Sequence, residues 1–381
     1  MVSMRATGDR LAARMRALGQ PWEIALFLWI PFLLVAAVMA ANLHIRGGLG
    51  DSEIFRSDAR SAVHGHSPYS PVDRAALAHN DKFVYPPITA LVVAPLAALP
   101  DEAGRVLVLV LALACVLLAL RLLGVSDWRC YGLALATAPV VDTVSLGALS
   151  SAMLLGVAAA WRYRDRRYIA ATVTAVTAVA KLFAWPLFVW LVATRRIRTA
   201  LVAAAVAAVL LVGGWAVIDF AGLSGYPHLL RVLSQVEAVQ SYSLVGLLRL
   251  SGGAASALTG ALIVAVVAAV WIAARGPDGD RRALAVAVAG TIVATPVLWL
   301  HYLVLLFVPI ALARPRLSAI WFVPLAYWVT PIAHSNGSIW KTCFALAVTG
   351  VILARTVAPA ASAAAAPRQA LAAPRCALPA P

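Results

Sequence analysis

Residues 22–41 read WEIALFLWIPFLLVAAVMAA, with one carboxylate near the start and no other charge. At about 1.5 Å per residue this helix would be about 30 Å long, the thickness of a bilayer's hydrocarbon core. Similar apolar runs recur. The 381-residue chain is 62% hydrophobic and only 12% charged, with a mean hydropathy of +0.88, which excludes an ordinary soluble domain. Backbone amides in lipid have no solvent partner, so the spans must be helices, and the alternation expected of a barrel is absent.

Working outward, apolar segments follow near 84–99, 103–123, 131–146, 149–161, 168–180, 183–194, 199–219, 254–274, 283–300, 301–313, 318–331 and 340–357. Several are shorter than about 17 residues, which predicts tilt, local thinning or hairpins. The expected fold is an all-α polytopic bundle of about twelve crossings occupying residues 22–357. Residues 1–21 read as a cytoplasmic amphipathic segment and 358–381 as an Ala/Pro-rich disordered cytoplasmic tail.

The formal charge of +15 invites a nucleic-acid reading, but the arginines argue otherwise. They cluster in short loops between apolar runs: Arg162, Arg164, Arg166 and Arg167; Arg195, Arg196 and Arg198; Arg275, Arg281 and Arg282. Short Arg-rich loops mark the cytoplasmic face, so the basic balance reports topology, and no nucleic-acid partner is expected. The four cysteines have no metal-ligand spacing and read as packing residues. No cofactor or metal is expected.

A parity count from these loops places residues 43–83 and 220–252, Lys181, His301 and His334 on the extracytoplasmic face. It also requires 84–99 and 103–123 together to make one net crossing. The Pro86-Pro87 start and Pro95 make 84–99 the candidate re-entrant segment.

The 43–83 loop is the longest polar interruption. Asp51 there reads either as the N-cap of an interfacial helix over about 52–64, with Ile54, Phe55, Ala59, Ala62 and Val63 dipping into the membrane surface, or as a catalytic carboxylate. With Glu53 it also has the spacing of a weak D-x-E cation motif. Lys181 interrupts two apolar runs, either snorkelling to the interface or serving as a point charge for a phosphate. His301-Tyr302 follows Pro296 and Trp299, and reads either as an interfacial pair or as a substrate contact. Tyr69 and Tyr85 suit an interfacial aromatic belt equally well.

These residues carry a resemblance. Asp51-x-x-x-Phe55, Gly65-x-x-Pro68-Tyr69 and Phe83-x-Tyr85-Pro86-Pro87 resemble the opening of glycosyltransferase family 87. Pro139-Val-x-x-Thr143-x-x-Leu-Gly147, Ala180-Lys181, Ser243-Leu-x-Gly246-x-x-x-Arg249 and Pro296-x-x-Trp299-x-His301 are similar to its later motifs. The likeness covers most of residues 40–310. Ala148 and Ser150 depart from it where Gln and Asn are usual, and Phe55 stands for a common Tyr.

The family comprises polytopic GT-C enzymes, typified by mycobacterial α-mannosyltransferases that use polyprenyl-phosphate-mannose. The resemblance implies inverting transfer of mannose from that donor to a glycolipid or lipoglycan acceptor, in cell-envelope synthesis at the plasma membrane. It implies Asp51 as general base, with Lys181, His301, Arg46, Glu53, Tyr69, Tyr85, Ser243 and Tyr302 around the substrates. An arabinofuranosyl donor is the alternative within the class. A lipid-linked-sugar transporter or a non-catalytic relative are the rivals outside it, although no internal repeat of the transporter kind is evident.

Overall fold

The computed structural model describes residues 20–44, 50–69, 74, 77, 83–276, 278–330 and 338–357, with side chains at 42–44, 50–53 and 239 outside the description. The expected segments at 1–19 and 358–381, together with Arg46, His79 and His334, lie outside the described residues.

The described elements are all helical. The first span, α1 (Pro21–Ala41), contains a π-helical turn at Ala25–Trp29. After it come α2 (Gly50–Val63), α3 (Pro87–Ala97), α4 (Asp101–Leu122), α5 (Trp128–Leu135), α6 (Ala138–Ser145), α7 (Ser150–Arg162) and α8 (Arg167–Ala180). A 3-10 turn at Leu182–Ala184 leads to α9 (Pro186–Ala193), α10 (Ile197–Val217), α11 (Tyr226–Glu237), α12 (Leu244–Leu247), α13 (Gly252–Ala273) and α14 (Gly279–Val293). A 3-10 helix at Leu300–Leu306 runs into α15 (Phe307–Ala313), and another at Ala319–Val329 precedes α16 (Ile339–Val357).

Among the described residues, five helices are long and apolar enough to cross a membrane: α1, α4, α10, α13 and α16. The pair α6 and α7, bent by 115°, makes a sixth if counted as one broken span. Gly147 ends α6 at φ +60°, a left-handed conformation that costs glycine little. The other apolar segments form shorter helices. Each has a local cause: Lys181 and Pro186 divide the run between α8 and α9, and Pro139 starts α6 after a break at Ala136–Thr137. Two segments adopt 3-10 helix for 7 and 11 residues, unusually long for that geometry. The protein is a multi-pass membrane protein whose outward faces are as apolar as its core. Leu201, Val209, Val212, Val264 and Ile272 are all exposed.

One end of the bundle gathers the arginine loops. Asp280 accepts a bidentate pair from Arg196 at 2.8 and 2.9 Å, a bond from Arg164 Nε at 2.9 Å and one from Trp190 Nε1 at 3.0 Å. Both ends of the α8–α9 stretch are therefore held at one side, and Lys181 lies at the far turn, about 20 Å away along α8. At the far side α3 begins beside that turn, where Thr89 Oγ1 donates to the Ala180 carbonyl at 3.2 Å. It ends where Arg60 reaches the Ala97 carbonyl from α2.

Helix α2 corrects the interfacial reading in two respects. It begins at Gly50, so Asp51 lies in its first turn rather than at a cap before residue 52. Its apolar face packs on protein: Phe55, Ala59 and Ala62 are buried with Ala90, Ala97, Trp215 and Leu229, while Val63 is exposed. Arg56 clamps this helix to the α3–α4 turn, donating to the Leu99 carbonyl at 2.8 Å and to Asp101 Oδ1 at 2.9 Å.

Helices meet closely where glycine allows. A Cβ on Gly132 of α5 would lie 1.7 Å from the Phe27 carbonyl oxygen in α1. A backbone atom cannot yield as a flexible side chain can. Gly132→Ala is therefore expected to destabilise the fold by about 1–3 kcal/mol, read as an earlier thermal transition of the detergent-solubilised protein.

Candidate functional site

Lys181 and His301 both lean on one ring. The Lys181 ammonium lies 3.9 Å from the centre of the Tyr302 ring, with Tyr85 at 5.3 Å and Phe183 at 5.9 Å. Phe183 stacks on Tyr302 at 4.8 Å, and the His301 ring meets Tyr302 nearly edge-on at 4.7 Å. Lys181 and His301 are each 5% exposed. A cation held against aromatic faces away from water is stabilised by the rings' quadrupoles, and that setting strengthens its field on any anion that arrives.

Asp142 of α6 faces His301, with Oδ2 3.4 Å from Nδ1. Thr143 Oγ1 donates to the Pro139 carbonyl at 2.6 Å and also lies 3.2 Å from the His301 carbonyl. Among the described residues His301 Nε2 is buried with no hydrogen-bond partner. The sequence reading missed Asp142. The signal was available, since it is the one carboxylate in the 131–146 run, as Lys181 is the one cation in its own.

The aromatic residues of the first loop join this site through Tyr85. Its ring packs 4.8 Å from Phe55 of α2 and 5.7 Å from Phe83. Tyr69 donates its hydroxyl to the Tyr85 carbonyl at 2.6 Å and stacks on Trp215 at 5.2 Å. Tyr226 donates to the Val84 carbonyl at 3.0 Å. Both phenols are held well above their ordinary pKa, chiefly by burial, and so remain protonated donors. Tyr69 thus anchors the segment that carries Tyr85.

Ser243 is engaged within the chain as well, donating to the Pro296 carbonyl at 2.7 Å and accepting the Gly246 amide at 3.0 Å as the cap of α12. Its neighbours Ser241 and Tyr242 bond the Leu298 amide and carbonyl, so this loop fixes the segment leading into His301. Asp51 and Glu53 lie in the first turn of α2, their side chains outside the described residues, as is the whole of Arg46.

Glu237, which the sequence reading also passed over, closes α11. It is fully buried, neither carboxyl oxygen has a hydrogen-bond partner among the described residues, and burial pushes its pKa up to about 7.

These features define a polytopic helical membrane protein with a buried cationic site at the end opposite its arginine loops. Residues 83–309, more than half of the chain and the stretch from Phe83 through His301, match glycosyltransferase family 87. The chain belongs to that family and is a membrane glycosyltransferase. Comparisons with curated proteins and with solved structures return no match.

Proposed function

We propose that the protein transfers mannose, with inversion, from polyprenyl-phosphate-mannose to the hydroxyl of a glycolipid or lipoglycan at the extracytoplasmic face of the plasma membrane. The observation that carries this reading is the convergence of Lys181 and His301 on the Tyr302 ring. A buried ammonium beside an imidazole suits a phosphate whose charge grows as the reaction proceeds. The arginine loops at the opposite end, read by the positive-inside rule, support an extracytoplasmic site. α3, about 16 Å long and so too short to cross a bilayer, supports the reading of 84–99 as re-entrant.

In the reaction, the acceptor oxygen forms a bond to the sugar's C1 as the C1–O bond to phosphate breaks. The bonding pair leaves with the polyprenyl phosphate, and the acceptor's proton passes to the Asp51 carboxylate. Lys181 and His301 face the departing phosphate, and a polyprenyl tail enters laterally from the bilayer.

Purified protein in lipid vesicles, offered radiolabelled polyprenyl-phosphate-mannose and a mycobacterial-type glycolipid extract, is expected to move label into glycolipid. Transfer only from polyprenyl-phosphate-arabinose would replace the sugar and retain the donor class. Transfer from neither would overturn the proposal.

A further inference from the structure

We propose that Asp142 is a positioning residue, which holds His301 so that Nε2 presents a proton to the anionic oxygen of a lipid-phosphate donor or leaving group. This rests on the donor class proposed above. Asp142 faces Nδ1 at 3.4 Å, and the Tyr302 ring packs against the imidazole at 75°. With the ring bounded on these sides, Nε2 is the remaining polar atom, buried and without a hydrogen-bond partner among the described residues.

A buried polar atom left unsatisfied is costly, so the arrangement calls for a ligand to complete it. The charges nearby identify that ligand's chemistry. The Lys181 ammonium lies against the same Tyr302 ring and is itself buried. An ammonium and an imidazole N–H against one ring suit the oxygens of a phosphate anion.

The test is binding of a short-chain polyprenyl phosphate to purified protein in nanodiscs at neutral pH. Asp142→Asn is expected to bind about tenfold more weakly than wild type, and Asp142→Glu should restore much of the loss. His301→Gln should bind weakly, and adding Asp142→Asn to it should change nothing further.

An Asp142→Asn protein with a normal thermal transition that binds like wild type would overturn the inference, as would an additive loss in the double variant. Should Asp142→Asn not fold, Asp142→Glu decides: a normally folded Asp142→Glu protein that binds no better than His301→Gln overturns it. Failure of the wild type to bind polyprenyl phosphate would instead overturn the donor class, and this inference with it.

Discussion

Replacing Asp51 with Asn is expected to slow sugar transfer by about 10²–10⁴-fold while leaving binding of the lipid-phosphate donor intact. An alcohol is a poor nucleophile at neutral pH, so a carboxylate that takes its proton acts in the transition state and not in donor binding. Asp51 lies one helical turn before Phe55, on the same face of α2. Phe55 packs 4.8 Å from Tyr85, and Tyr85 lies 5.3 Å from the Lys181 ammonium. The Arg56 clamp fixes the helix that carries Asp51.

The measurement is single-turnover transfer and donor binding on the same preparation, with a thermal transition as control. A variant that folds and transfers at the wild-type rate would remove Asp51 from the chemistry. Equal losses in donor binding and in rate would make it a binding group instead.

The second large effect concerns stability. Glu237 has a carboxyl pKa of about 7 in the folded protein against 4.5 ordinarily, because burial disfavours its charged form. Between those values the folded state holds a proton that the unfolded state has released. Stability must therefore fall as pH rises from about 4.5 to about 7, and stay reduced above that. A displacement of this size corresponds to about 3 kcal/mol.

Wild-type protein should accordingly unfold at lower temperature at pH 8 than at pH 5, and Glu237→Gln should remove much of that difference. The contrast between variant and wild type across the pH series isolates Glu237 from the other titrating groups. An identical pH dependence in both proteins would show that the carboxyl finds water or a partner when it ionises.

Much of the fold was legible without coordinates. The ends of α4, α7, α8, α10, α13 and α16 fall within about two residues of the apolar segments, because lipid admits only helices of adequate length and apolarity. Lys181 and His301 were legible for a related reason: an ionisable side chain within an apolar run is costly and therefore conspicuous.

What the tertiary structure alone decided was which elements meet. The apolar face of α2 could have met lipid or protein equally well, and only packing against α3 settled that it met protein. Nothing in the spacing placed Lys181 and His301 on the same Tyr302 ring, or set Asp142 against His301. Hydropathy reports that a face is buried and is silent about its neighbour. In a bundle whose helices meet through close contacts, such as Gly132 against Phe27, the neighbour is chosen by shape across the whole assembly. Ionisable residues within apolar runs could thus be read from their local cost, whereas which of them meet followed from how the helices fit.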